Sequence, residues 1–213
     1  MNTDDGISPL RIAVVLAAVL LAWIARPASA MTFSNATLPD GTRYVVARGP
    51  VVEGDSVRLR AALQSADRDA FGNKLIALDS PGGPIVEAFA LVDVMDRERV
   101  STLVRRGDSC ASACAQILFL SGLHRIVEPG GRIGFHSCHD ARDRTRSTLC
   151  NELIAQNAAA RGTPYASIVS FVHLTAPTQV RWLDATEAEL WGFVRRPPAA
   201  NRAQEAGVDP KWM

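Results

Sequence analysis

Lysine is almost absent from this sequence, which contains only Lys74 and Lys211 and carries the rest of its positive charge on arginine. Basic and acidic side chains are balanced, at 23 against 22, and leave a formal net charge of +1. This balance excludes a long-range field that would attract polyanions, so nucleic acid is not an expected partner. The scarcity of lysine also leaves few candidates for a lysine base in catalysis.

Beyond the first thirty residues, the sequence has no apolar run long enough to span a membrane. Arg11 precedes an uncharged stretch from Ile12 to Ala25, and Ala28-Ser29-Ala30 supplies the small residues that a signal peptidase accepts. Residues 1–30 are therefore predicted to be a signal peptide, which gives a periplasmic chain that begins near Met31. If the apolar stretch stayed uncleaved it would anchor the chain to the membrane, although it is short for a bilayer span.

Metal-binding motifs of the C-x-x-C or H-E-x-x-H type are missing, and no cofactor is expected. The exported part contains four cysteines: Cys110, Cys114, Cys138 and Cys150. An oxidising compartment permits disulfides, and four cysteines allow three pairings. Cys138 and Cys150 bracket a polar loop and are the expected pair, whereas Cys110 and Cys114 either pair locally or stay reduced. A metal site that uses neighbouring histidines is the rival interpretation.

Short β-type runs alternate with helical patterns, which predicts one α/β domain over residues 31–196 and a tail over residues 197–213. Predicted strands cover residues 44–46, 51–52, 75–78, 100–104, 126–127 and 133–135. Helices are predicted from about residue 57, after the Pro-Gly-Gly turn at 81–83, over residues 111–120 and 147–161, and after residues 164 and 184. Repeated strand-helix units of this length predict a largely parallel sheet covered by helices.

A small-residue segment around Ser112 carries the candidate chemistry. A serine nucleophile needs a base, donors for the oxyanion, and a position where its hydroxyl is exposed but fixed. Ser112 lies where a predicted strand passes into a buried helix, and the backbone N–H groups of Gly83 and Ala113 are the candidate oxyanion donors. His136 follows another predicted strand and is the candidate base. The alternative is that Ser112 merely caps the helix.

Four segments, in matching order and spacing, resemble the Clp protease proteolytic subunit family between about Tyr44 and Val194. They are Leu78-Asp79-Ser80-Pro81-Gly82-Gly83, Val92-Asp93-Val94-Met95, Val100-Ser101-Thr102 and the Ser112 segment. The resemblance implies a ClpP/crotonase-like spiral of strand-helix units. It also implies that Ser112 is the nucleophile, His136 the general base, and the N–H groups of Gly83 and Ala113 the oxyanion hole.

The sequence departs from the family at the catalytic acid. Alignment of the segment that returns before the last helix places Val180, which has no carboxylate, in the slot of the acid. Asp184 is interpreted as the N-cap of that helix, while Asp140 and Asp143 belong to a polar loop. A Ser/His dyad, or an acid from another direction, is therefore expected.

Exported peptidases of the signal-peptide-peptidase type share the S-P-G-G and serine segments but use lysine as the base. Lys74 begins the strand that ends at Asp79, away from the candidate site, and Lys211 lies close to the C-terminus. Both lysines fit that role poorly, which leaves His136 as the best candidate base.

Two functional hypotheses follow from these patterns. The first is an exported serine hydrolase, peptidase-like, that acts on a peptide or another acyl bond. The second is a catalytically silent periplasmic binding module on the same fold. A crotonase-like enzyme acting on acyl thioesters is a more distant third. The resemblance allows a homo-oligomer, but the short excursion between His136 and Val180 does not predict a barrel of stacked rings.

Overall fold

The structure is a computed structural model that describes residues 30–140 and 145–198. Apart from Ala30, the predicted signal peptide lies outside the described residues, as does the predicted tail from residue 199 onward. Within the two described ranges, no helix is long and apolar enough to cross a bilayer.

Eight strands and five α-helices are assigned within the described residues. The strands are β1 (Thr32–Thr37), β2 (Arg43–Arg48), β3 (Lys74–Asp79), β4 (Val100–Val104), β5 (Ser109–Ala111), β6 (Arg125–Val127), β7 (Arg132–Phe135) and β8 (Arg181–Leu183). The helices are α1 (Asp55–Leu63), α2 (Ile85–Glu98), α3 (Thr148–Ala160), α4 (Tyr165–Leu174) and α5 (Ala185–Leu190). Between β5 and β6 the chain forms a π-helical segment, Cys114–Leu118, that continues into a 3-10 turn, Phe119–Ser121.

The strands form two sheets in which most neighbours are parallel. The larger sheet has the order β1-β2-β3-β4-β6, and all of its pairs are parallel except β1 with β2. The smaller sheet has the order β5-β7-β8, with β5 parallel and β8 antiparallel to β7. The predicted α/β class with mostly parallel strands is therefore confirmed, but the chain builds a second sheet that the sequence did not indicate.

Two local predictions were wrong, and one exposed strand was missed. Residues 51–52 form no strand, because Gly49 and Pro50 end β2 and the Val51 N–H instead donates to the Gly82 carbonyl at 2.9 Å. The predicted helix over residues 111–120 begins later, because Ser109–Ala111 pairs with β7 as a strand. β1 was not predicted, since its mostly exposed residues show no regular apolar alternation.

A buried arginine joins the last described segment to the rest of the fold. Arg125 is 1% exposed and donates hydrogen bonds to the carbonyls of Phe193 at 2.9 Å, Arg161 at 2.9 Å and Leu120 at 3.2 Å. Burial lowers the pKa of Arg125 to about 10, which still leaves it charged at neutral pH. Phe193 also stacks on Phe135 with 4.7 Å between ring centroids, so the end of β7 is held in the core.

Candidate active site

The candidate catalytic residues line one cleft of about 790 Å³. Gly83, Ser112, Ala113 and His136 all border it. β5 and β7 are parallel neighbours, and the Ser112 N–H donates to the Gly134 carbonyl at 2.9 Å just beyond their last pair. Ser112 and His136 therefore emerge side by side from the carboxyl ends of two adjacent strands, where α/β folds commonly place ligand sites.

Ser112 occupies a sharp turn between β5 and the buried π-helical segment. Its φ angle is 56°, a left-handed conformation that non-glycine residues rarely adopt and that often marks functional sites. The Gln116 N–H donates to the Ser112 carbonyl at 2.8 Å, which begins the helical hydrogen bonding. A disulfide between Cys110 and Cys114 closes this turn on both sides of the serine. A tight strand-to-helix turn of this kind fixes a serine hydroxyl while keeping it half-exposed.

The two glycines after Pro81 fit spaces that no side chain could enter. A Cβ at Gly82, where φ is 88°, would lie 2.7 Å from the Ala111 carbonyl oxygen and 2.8 Å from the Ala113 nitrogen. A Cβ at Gly83 would lie 2.2 Å from the Val51 carbonyl oxygen. Sequence reasoning selected Gly83 for the oxyanion hole and missed that Gly82 packs directly against the serine turn.

His136 is held through both its backbone and its ring. Its Nδ1 lies 2.8 Å from the main-chain oxygen of Ser137. Its own carbonyl accepts a 2.6 Å hydrogen bond from Nε2 of Gln116, a side chain that is 2% exposed and still borders the cleft. Gln116 thus connects the turn that carries Ser112 to the segment that carries His136. Gln116 was not predicted as a site residue, because an amide in an otherwise apolar helical segment does not reveal its partner in the sequence.

Val180 directly precedes β8, and its aliphatic side chain offers no carboxylate. The pairs of β7 with β8 end at Phe135 and Arg181. Val180 packs against β7 at Gly134, where a Cβ would lie 2.7 Å from Val180 Cγ1.

The three aspartates considered in place of the acid at Val180 do not share one location. Asp184 caps α5, where its side chain accepts the Glu187 N–H at 2.9 Å and Glu187 bonds back to the Asp184 N–H. Asp140 borders the cleft, and its N–H donates to the Thr145 carbonyl at 2.9 Å. Asp143 lies outside the described residues.

All four cysteines form disulfides, Cys110 with Cys114 and Cys138 with Cys150. The second bridge borders the cleft and ties α3 to the segment that follows His136. In the part of the chain that the structure describes, no group of three or more His, Cys, Asp or Glu side chains could hold a metal ion.

Lys74 and Asp79 make contacts that hold the scaffold together. The Lys74 ammonium group donates to the Leu63 carbonyl at 2.7 Å and pairs with Glu98 at 2.8 Å, at the far end of β3 from the cleft. Lys211 lies outside the described residues. Asp79 accepts the Ser109 N–H at 3.2 Å and Nε of Arg48 at 2.7 Å, and this hydrogen bond raises the pKa of Arg48. Asp79 therefore joins β3 to the strand that leads into Ser112.

Comparison with known proteins adds evidence on the fold. No protein-family model matches the sequence, and no curated protein matches it either. Among solved structures, the chain is similar to the crystal structure of the ClpP protease catalytic domain from Plasmodium falciparum. The TM-score is 0.50 at 19% sequence identity, and the match covers 68% of this chain and 78% of that chain.

The chain has a ClpP-like fold. At this sequence identity the ClpP-like match describes the backbone arrangement and does not by itself transfer catalysis. The chemistry of this chain depends on the cleft around Ser112 and His136.

Proposed function

We propose that the protein is an exported serine hydrolase, peptidase-like, that cleaves peptide or other acyl bonds. The observation that carries this proposal is the convergence of Ser112, in its left-handed turn, with His136, Gly83 and Ala113 in one cleft. The ClpP-like fold supports this proposal. We also propose that the strand-helix units are arranged as the spiral that the resemblance implies.

The proposed reaction is acyl transfer through a serine ester. The Ser112 hydroxyl attacks the acyl carbon while Nε2 of His136 takes its proton, which gives a tetrahedral intermediate. Backbone N–H groups of Gly83 and Ala113 stabilise the oxyanion. His136 then protonates the leaving group, and a water molecule activated by the same imidazole hydrolyses the ester and releases Ser112.

The cleft wall favours a substrate with an apolar portion. Ile85, Val86 and Ile154 border the cleft on the side of α2 and α3. Val86 is 80% exposed, so apolar surface is available to a bound chain.

The disulfides support the proposal that the protein is exported. Cys110–Cys114 and Cys138–Cys150 together use every cysteine in the sequence. Disulfides form and persist in oxidising compartments such as the bacterial periplasm. The signal-peptide pattern before Met31 points to the same destination.

A second candidate function is a periplasmic binding module without catalysis. Val180, which offers no carboxylate in the slot to which the family's acid aligns, favours it, because loss of the acid typically costs orders of magnitude in rate. A module of this kind would keep the cleft and the fold while the catalytic set decays.

Hydrolysis assays distinguish the two candidates. The purified protein is incubated with a p-nitrophenyl ester and, separately, with a complex peptide mixture analysed by mass spectrometry. We expect both activities in the wild type, none with Ser112→Ala, and near wild-type activity with Ser109→Ala, a matched control in β5. Absence of both activities in the wild type would favour the binding module, and activity retained in Ser112→Ala would exclude Ser112 as the nucleophile.

A further inference from the structure

One ring nitrogen of His136, Nδ1, has a main-chain partner. Nδ1 lies 2.8 Å from the Ser137 carbonyl oxygen, which can only accept a hydrogen bond. Nδ1 must therefore carry the proton in this arrangement, which leaves the lone pair on Nε2. That tautomer is the one that a serine nucleophile requires of its base.

The segment after His136 is fixed by the end of α4. Ser137 is fully buried, and its N–H donates to the Thr175 carbonyl at 2.9 Å. Its hydroxyl donates to the Val172 carbonyl. Val172 lies in the last turn of α4, where carbonyls lack partners within the helix, and Thr175 follows the helix directly, so both carbonyls are available as acceptors.

The carbonyl of Ser137 belongs to the same planar peptide group as the N–H of Cys138. That N–H donates a 2.7 Å hydrogen bond to Oδ1 of Asn151 on α3. Because the peptide is planar, fixing the N–H fixes the direction of the carbonyl, and donation from the N–H strengthens the carbonyl as an acceptor. The Cys138–Cys150 disulfide holds the same peptide to the residue before Asn151.

Asn151 keeps this contact at an energetic cost. It is fully buried, and among the residues that the structure describes its Nδ2 has no hydrogen-bond partner. A buried amide whose NH2 group is unsatisfied is unfavourable, and an apolar side chain would avoid that penalty. Accepting the hydrogen bond from the Cys138 N–H is thus what the buried Asn151 side chain contributes here.

We propose that the main-chain carbonyl of Ser137 takes the role of the carboxylate that Val180 does not supply, and that Asn151 is the positioning residue that aims it at Nδ1 of His136. The inference rests on the proposed function for its catalytic meaning, but the orientation of the ring can be measured without activity. Asp140 borders the same cleft, and its carboxylate is the alternative partner for Nδ1 of His136 that the test must distinguish from the Ser137 carbonyl.

The primary test is nitrogen NMR of the imidazole rings in the isotope-labelled full chain at a pH where they are neutral. His136→Gln identifies the His136 signals. We expect a proton on Nδ1 in the wild type and in Asp140→Asn. A proton on Nε2 in the wild type, or loss of the Nδ1 proton in Asp140→Asn, would overturn the proposal.

Asn151 is tested by a matched pair of variants. Asn151→Leu removes the acceptor and should give mixed tautomers, with fluorophosphonate labelling of Ser112 about 100-fold slower because the ring is misaligned. Asn151→Asp keeps an acceptor oxygen and should restore the Nδ1 proton and most of the labelling. An Asn151→Leu protein that retains both the tautomer and the rate would overturn the role of Asn151.

Val180→Asp keeps the proposal testable if Asn151→Leu does not fold. A carboxylate at position 180, the slot to which the family's acid aligns, should displace the Ser137 carbonyl as the partner of Nδ1, speed labelling at least tenfold, and move the midpoint of its pH profile upward, because the carboxylate stabilises the imidazolium. An unchanged pH profile would contradict the proposed orientation of the ring. If the tautomers behave as expected but Ser112 never reacts, the hydrolase proposal fails and the positioning inference stands.

Discussion

Gly82 lies so close to Ser112 that a Cβ on the glycine would come within 2.9 Å of the serine Cβ. Both residues have left-handed backbones, with φ of 88° and 56°. The turn after β3 and the turn after β5 are therefore packed against each other, and the conformation of Ser112 depends on the absence of a side chain at Gly82.

Gly82→Ala tests this dependence. The new methyl group would have to displace the Ser112 turn, and a displacement of about 1 Å at a reacting atom can cost about 100-fold in rate. We expect fluorophosphonate labelling of Ser112 to slow by about that factor while the protein stays folded, as measured by circular dichroism and labelling kinetics.

Gly41→Ala is the matched control for Gly82→Ala. Gly41 has a φ of 92°, and a Cβ there would meet nothing within 4 Å. Both substitutions carry the backbone cost of a left-handed alanine, about 1–2 kcal/mol, but only Gly82→Ala disturbs the serine turn. Equal labelling rates in the two variants would argue against the proposed packing requirement.

Export is expected to remove the first thirty residues. N-terminal sequencing of protein from a periplasmic fraction should find a chain that begins near Met31, because Ala28-Ser29-Ala30 fits a signal-peptidase site. Recovery of the full-length chain in the cytosol would refute the export proposal.

The disulfide connectivity can be read by peptide mapping without reduction, after thiols are trapped at lysis. Trypsin cuts after Arg146, so Cys138 and Cys150 should appear as two linked peptides. Cys110 and Cys114 fall in one tryptic peptide, which should be lighter by two hydrogens than its reduced form. Four trapped free thiols would contradict this connectivity.

Acid stability should depend on Asp67. Hydrogen bonds from the Arg43 side chain lower the pKa of Asp67 from 3.8 to about 2. Because the folded pKa is depressed, the stabilisation is complete above about pH 4 and is lost as the pH falls through about 2. The difference in Tm between wild type and Asp67→Asn should therefore shrink over this range. A difference that stays constant down to pH 2 would exclude Asp67 as the source.

Local signals predicted much of the fold. The apolar run of β3 ends at the Pro81-Gly82-Gly83 turn and is followed by helical spacing, and the structure has β3 and α2 there. Asp184 and Glu187 form the expected capping box at the start of α5. These features depend on residues close together in the chain, so sequence patterns were sufficient to find them.

Contacts between residues far apart in the chain could not be predicted from sequence patterns. Ser109–Ala111 is too short to show a strand pattern and becomes β5 only because β7 pairs with it. Likewise, Asn151 resembles any polar residue of a helix until the fold brings it to the Cys138 N–H. The candidate nucleophile and base were chosen from motif and order, whereas the residues that position them are identified only by their partners in space.

Fluorophosphonate labelling of the purified protein, with the adduct mapped by mass spectrometry, tests the central claim most directly. A single adduct on Ser112 is expected, because the proposed role of His136 is to take the proton of the attacking hydroxyl. Ser112→Ala should abolish it, and His136→Ala should slow it by orders of magnitude. An adduct that persists in Ser112→Ala, or a wild type that never labels at any pH, would contradict the assignment of Ser112 as an activated nucleophile.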